Sequence, residues 1–208
     1  MFPTLTRDDV FRVETPRLWL RWPRLEDSAR LLPWMCRPEV ATMTSTFQVG
    51  MTGAEFEARL ERMLAANEAG RGLQFVIVPK GADHVPIGMV GTTVQPGGRI
   101  ELGYQLDPQH WGSGLMTEAV GALCAQVFDL TSVANIGASV RPDNAASIRV
   151  LEHCGFKVTG SGEHDSPVYG RYAVHTYALK RLRPSPLLAA KHRHSSRRSA
   201  QHALVGLV

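Results

Sequence analysis

The stretch that most constrains this chain is residues 101–118, E-L-G-Y-Q-L-D-P-Q-H-W-G-S-G-L-M-T-E. It reads as a strand, a glycine loop and a helix in immediate succession. In the strand, Ile100, Leu102, Tyr104 and Leu106 share one face, and Glu101, Gly103 and Gln105 share the other. Pro108 has no N–H to donate, so the ladder ends near it. Gly112 and Gly114 can take positive φ and let successive amides converge. Beyond Ser113, the residues Leu115, Val120, Leu123 and Val127 recur at three-to-four spacing to within a residue, which predicts a helix over about 113–128. A glycine turn that feeds a helix N-terminus is an anion site, because its free N–H groups and the positive end of the helix dipole both favour phosphate. No lysine stands where a P-loop would place one, which argues against nucleoside-triphosphate chemistry.

The spacing Gln109-x-x-Gly112-x-Gly114 after a strand resembles the pyrophosphate loop of the GNAT superfamily, the acetyl-CoA-dependent N-acetyltransferases. A second segment, residues 141–156, is similar to the N-x-x-S-x-x-x-x-x-x-x-G-F motif of the same superfamily, with Asn144, Ser147, Gly155 and Phe156 at the matching positions. The details, E-L-G-Y with W-G-x-G-x-x-T-E-A and an opening E-T-P-R-L-x-L-R, look most like the Rim-type branch, which acetylates protein N-terminal amines. The resemblance covers roughly residues 14–181. It is specific for fold and cofactor and weak for acceptor. It implies an α/β (α+β) fold: a mixed, mostly antiparallel sheet of six to seven strands flanked by about four helices.

Read in order, residues 1–13 are a loose lead-in and the first strand spans 14–22, with Leu18, Leu20 and Trp22 on one face. A short helix covers 25–34 and stops near Pro38, and 42–50 is a loop. Thr52 and Glu55 form a capping box for a helix running to about Asn67. Strands at 73–78, 86–94 and 100–106 make an antiparallel meander. After the 113–128 helix come a strand at 134–140, a helix at 144–154, and closing strands at 156–162 and 171–179, joined by a polar loop at 163–170.

The chain has 208 residues and is 44% hydrophobic, enough for one well-cored domain, which we place at 1–183. No run reaches the ~18 apolar residues of a membrane span. The N-terminus has no basic-then-apolar leader pattern. Cys36, Cys124 and Cys154 are odd in number and scattered, matching neither a disulfide framework nor metal spacing. The expectation is a cytoplasmic protein without a bound metal. The net charge of +4 hides an asymmetry. All 19 acidic residues lie at or before Asp165, against 15 of the 23 basic ones, so that part carries −4. The remaining 8 basic residues follow it. Residues 184–208 read as a disordered basic tail, able to meet an acidic partner or RNA but lacking the aromatic interleaving that stacks bases.

The resemblance assigns the site. The amides of Trp111, Gly112, Ser113, Gly114 and Leu115 hold the pyrophosphate and Gln109 braces the loop. The pantetheine runs beside the central strand near Tyr104, Gln105 and Leu106 through backbone contacts, so a Gln105 substitution should matter little. Asn144 caps its helix and hydrogen-bonds the pantetheine. Ser147 lies near the thioester sulfur and donates a proton to the leaving thiolate. Glu101 is the candidate base. A protein α-amine, with pKa near ~8, is already about a tenth neutral at pH 7, so a weak base working through water suffices. Tyr104 and Tyr172 are secondary candidate acids, with a core or packing role as the alternative reading of each. Cys154 has no suitable histidine partner for a nucleophilic role. The acceptor pocket is expected from the 38–47 and 163–170 loops, with Trp34, Phe47, His164 and Tyr169 as walls. A homodimer is compatible with these features. The competing functions are antibiotic or polyamine acetylation, and non-catalytic acyl-CoA binding.

Overall fold

The computed structural model describes residues 1–182 except 45, 83–84 and 167–168. The basic segment 184–208, and the expectations attached to it, lie outside the described residues. The chain opens with a short edge hairpin, β1 (Arg12–Glu14) and β2 (Leu18–Arg21). The helices α1 (Ser28–Met35), α2 (Pro38–Ala41) and α3 (Gly53–Glu68) follow. The meander is β3 (Gly72–Pro79), β4 (Gly88–Val94) and β5 (Ile100–Leu106). Then come α4 (Leu115–Leu130), β6 (Asn135–Val140), α5 (Ala145–His153), β7 (Lys157–Ser166) and β8 (Gly170–Lys180). The described strands form one sheet in the order β1-β2-β3-β4-β5-β6-β8-β7. Every neighbouring pair is antiparallel except β5–β6.

Both faces of the sheet are covered, which explains why β3 is a nearly continuous apolar run rather than an alternating one. One core joins Phe75, Ile77, Leu102 and Ile136 to Val120, Leu123 and Val127 of α4. The other joins Val76, Val78 and Met89 to Leu31, Phe56 and Leu60 of α1 and α3. The Thr52 capping box forms as expected: the Glu55 amide donates to Thr52 Oγ1 at 3.3 Å, and the Thr52 amide donates to Glu55 Oε2 at 2.8 Å.

The structure corrects the sequence reading at four places. The sheet has eight described strands rather than six or seven, and five α-helices are described rather than four. Residues 1–13 are not loose. Phe2 is 1% exposed, the α-amino group donates to the Gly70 carbonyl at 2.9 Å, and β1 pairs with β2. Pro38 starts α2 instead of only ending α1, since proline is well suited to a first helical position. The 163–170 segment is no free loop: β7 and β8 pair out to Ser166 and Gly170, because each strand supplies the other's ladder partners.

Candidate active site

The site is built around β5. On one side β5 stays paired with β4 along its whole length, from Val94–Ile100 to Gly88–Leu106. On the other side it pairs with the parallel β6 only at Ile100–Ile136 and Glu101–Gly137. Beyond Glu101 the two strands part, leaving the edge of β5 from Leu102 to Leu106 facing a cleft of about 1640 Å³. The cleft is bounded by the 108–114 loop and α5 on one flank and by α3 and the 39–47 segment on the other.

At the end of β5 the chain turns through the glycine loop into α4. The Asp107 carboxylate accepts from the Gln109 amide at 3.0 Å and so braces this turn. The Gln109 side chain, expected to do so, is exposed. Gly112 and Gly114 both take positive φ, +73° and +75°, a conformation that penalises any side chain. The amides of residues 112–117 have no acceptor among the described residues, and the first helical bond of α4 runs from the Glu118 amide to the Gly114 carbonyl at 3.1 Å. These orphan donors stand at the head of a 16-residue helix, which suits a doubly charged diphosphate. Trp111, Ser113 and Leu115 line or flank the same loop, and Trp111 Nε1 donates to the Leu106 carbonyl at 2.8 Å. The Leu106 oxygen is therefore already engaged, whereas a free backbone group was expected there.

Sequence reasoning missed the brace behind this cradle. Glu118, in the first turn of α4, accepts from Thr15 Oγ1 at 2.6 Å and from the Arg17 amide at 2.9 Å, and pairs with Arg17 Nε at 2.6 Å. Burial raises its pKa, but the Thr15 and Arg17 hydrogen bonds outweigh burial and hold the carboxyl below the usual range. Arg17 also donates to the Ser113 carbonyl at 3.1 Å, which brings a guanidinium to the edge of the loop. The T-P-R sequence and the T-E of the helix were both visible, but only the fold shows that they meet.

Along β5 the expected alternation holds and separates two groups. Tyr104 lies on the α4–α5 side, its hydroxyl 2.7 Å from Ser147 Oγ and 3.1 Å from the Ser147 carbonyl. Burial pushes the Tyr104 phenol well above its ordinary value, with Ser147 offsetting only part, so it stays protonated. Asn144 Oδ1 caps α5 by accepting from the Ser147 amide at 3.0 Å, and its Nδ2 has no partner among the described residues. Capping and cofactor contact are thus compatible.

Glu101 lies on the opposite face, at the point where β5 and β6 part. Ser139 Oγ donates to it at 2.9 Å. Burial raises its pKa, and Ser139, Arg99 and His164 offset only part of that. Gly137 is the strand partner of Glu101, and a Cβ there would sit 2.7 Å from Glu101 Oε2, so the carboxylate occupies space that a side chain would take. Gln105, on the same face and 8% exposed, donates through Nε2 to Thr44 Oγ1 at 3.2 Å. Its side chain thus ties β5 to the segment that follows α2, a contact the sequence reading did not anticipate.

Of the expected acceptor walls, Phe47 and His164 line the cleft. Tyr169 is not among the residues that line it; its hydroxyl accepts from the Val49 amide at 3.4 Å. Trp34 does not line the cleft; it packs in the α1–α3 core, drawn in by α1's buried face. Cys154 donates to the Thr117 carbonyl at 3.4 Å, and burial pushes its thiol up to about 11, which leaves it no thiolate at neutral pH.

Residues 17–157 match the family model described as an acetyltransferase (GNAT) domain. A Bacillus licheniformis protein named Uncharacterized N-acetyltransferase p20 is 34% identical over 149 residues, covering 70% of this chain and 82% of the relative. Mycobacterium smegmatis RimJ in complex with CoA-disulfide superposes with a TM-score of 0.69 at 24% identity, covering 92% of this chain and 98% of that one. The ribosomal-protein-S5-alanine acetyltransferase of Vibrio fischeri superposes with a TM-score of 0.69 at 21% identity, covering 85% and 100%. With the family model spanning the glycine cradle, the parted strands and the Asn144–Ser147 cap together, the chain belongs to the GNAT family of N-acetyltransferases.

Proposed function

We propose that the chain transfers the acetyl group of acetyl-CoA to a primary amine by direct attack, the acceptor being a protein N-terminal α-amine. The observation that carries this reading is the placement of Glu101, at the last residue of β5 paired with β6, and Tyr104, beyond the parting point, on opposite faces of the strand. The diphosphate sits on the amides of the 112–117 segment, with Arg17 beside it. The pantetheine lies along β5 and meets the Asn144 amide nitrogen. The thioester then comes to rest near residues 102–103, between the two faces.

Glu101 takes a proton from the ammonium form of the acceptor, directly or through a water, and its raised pKa makes it a better base than an ordinary carboxylate. The neutral nitrogen attacks the thioester carbonyl carbon. A β5 amide beyond the parting point is suited to meet the oxygen as it becomes negative. When the C–S bond breaks, the electron pair leaves on sulfur and takes a proton from the Tyr104–Ser147 hydroxyl pair to make the free thiol; the attacking nitrogen, cationic after bond formation, loses its second proton to solvent water, from which the hydroxyl pair is reprotonated. Most of the rate gain comes from holding two substrates in line.

An α-amine needs little help to lose its proton near pH 7, whereas a lysine at ~10.4 needs far more. A single half-buried carboxylate fits the first task better. The name of the S5-alanine acetyltransferase structure points to the same acceptor class. The test is thiol release from acetyl-CoA with a panel of N-terminal peptides, free lysine analogues and small amines. Turnover confined to lysine side chains or to non-peptide amines would remove the protein N-terminus from the proposal.

A further inference from the structure

The flank of the cleft on the Glu101 side carries a charge pattern that acetyl transfer itself does not require. Along α3, Arg59, Arg62, Met63 and Ala66 recur at i, i+3, i+4 and i+7, and all four line the cleft. Phe56 and Leu60, about a quarter turn round the helix, are buried in the core, with Met63 packed against them. Arg99, in extended backbone two residues before Glu101, lines the same flank. None of these three guanidinium groups has a hydrogen bond or an ion pair to a described residue.

Glu55, one turn before Arg59 on the same face of α3, is engaged in the Thr52 cap, and Glu57 and Glu61 lie on the opposite face of the helix. Arg59 is half-buried, and burial together with repulsion from Arg62 lowers its pKa. Two like charges one turn apart, without counter-ions, work against the helix that carries them. The carboxylates on this flank are Glu39 and Glu101, with His164 beside Glu101, and Glu101 is the base. On the opposite flank Arg141 is paired with Asp143 at 3.2 Å.

We propose that the acceptor flank selects amines that carry an anionic group close to the nitrogen, a carboxylate or a phosphate, which Arg59, Arg62 and Arg99 grip while the amine meets Glu101. This rests on the acetyl-transfer reading above and narrows its acceptor. A guanidinium fork matches either anion in two-point geometry. A polycation would meet three like charges at the same place, which is how a site rejects a wrong partner.

The test uses the whole chain, acetyl-CoA and a set of peptides that share an N-terminal serine and differ only at their second and third residues: both acidic, both amide, or both lysine. Free aspartate is run beside them. The expected result is a kcat/KM for the acidic peptide about tenfold to a hundredfold above that for the amide peptide, the scale of a charge-assisted hydrogen bond. The lysine peptide should be the poorest, and the spread should shrink as salt is added. Arg59→Gln with Arg62→Gln should erase the preference while the KM for acetyl-CoA moves by less than about twofold, since neither residue faces the phosphate cradle. Arg59→Glu with Arg62→Glu should invert it. A gain seen in free aspartate alone assigns the anion to a small-molecule acceptor, and one seen in the peptide assigns it to a protein N-terminus. Equal turnover of all three peptides with no gain in free aspartate, or a preference that survives both double variants, overturns this inference and leaves acetyl transfer standing. No turnover on any amine overturns both.

Discussion

Replacing Glu101 with glutamine should lower activity and raise stability at once, and the two effects share one cause. The side chain keeps its shape and can still accept from Ser139, which now sits at 2.9 Å. What goes is a charge that burial disfavours, as the raised pKa shows. A carboxyl whose pKa is higher in the folded state stabilises the fold below its unfolded pKa. That stabilisation is lost as pH rises through the folded pKa. At neutral pH the ionised Glu101 therefore costs the wild type something that Glu101→Gln does not incur. Because the group is only partly buried, we expect a gain on the order of 0.5–1 kcal/mol, or about 1–4 °C in Tm for a chain of this size. The Tm difference should be near zero at the acid end of the ordinary carboxylate range, grow as pH passes the raised pKa, and then stay level. For activity, a positioned base contributes about 10²–10⁴-fold. With an α-amine already about a tenth neutral at pH 7, ground-state deprotonation alone accounts for no more than about tenfold. A loss near 10²-fold that persists above pH 8 places Glu101 in the transition state, whereas a loss that vanishes there restricts it to the ground state. Unchanged kcat/KM across the whole pH range, with Tm also unchanged, would show that Glu101 is an ordinary surface carboxylate and remove the base from the mechanism.

Three further outcomes are expected. A Cβ at Gly103 would meet nothing within 4 Å, so Gly103→Leu should fold normally, fill the floor of the acceptor flank and raise the KM for the amine by about tenfold or more, with acetyl-CoA affinity little changed. Steady-state kinetics in both substrates would check this, and an equal effect on both would move the acceptor elsewhere. Gly114→Glu puts a negative side chain at a positive-φ position in the cradle; it should cost about 1–2 kcal/mol of stability and abolish acetyl-CoA binding in a calorimetric titration. Cys154→Ser should keep full turnover, because the thiol is held protonated and bonded to a helix carbonyl; loss of activity with an unchanged Tm would restore an acyl-cysteine route.

The local patterns in the sequence carried far. The alternation of Ile100–Leu106, the Thr52 capping box and the Asn144 cap are all contained within a few residues, so they could be read before any contact was known. What escaped were features completed by distant partners. The strand Arg12–Glu14 is too short to signal itself and exists because β2 pairs with it. The Arg17–Glu118 brace spans 101 residues, and the Ser139 bond to Glu101 spans 38. Trp34 looked like a pocket wall because an aromatic beside a loop is ambiguous until its helix has a neighbour. The arginine stripe of α3 was open to view in the spacing of 59, 62, 63 and 66. It gained meaning only when α3 was placed against the flank where Glu101 stands.

That placement also explains why one strand can serve two substrates. Acetyl transfer needs a proton removed from nitrogen and another delivered to sulfur, and an acid and a base in direct contact would simply exchange theirs. Side chains on a strand alternate between faces, so the odd-numbered and even-numbered residues of β5 are held apart by the strand's own backbone. In the mechanism proposed above, Glu101 with Gln105 belongs to the amine, and Tyr104 with Ser147 to the thioester. A slip of one residue would exchange the two sets and bury the carboxylate against α4. The full seven-residue pairing with β4 guards against that slip on one edge. On the other edge β5 needs freedom, and its two-residue pairing with β6 supplies it by ending at the base itself. The parting of the strands and the separation of acid from base are therefore consequences of a single register, set where Glu101 meets Gly137.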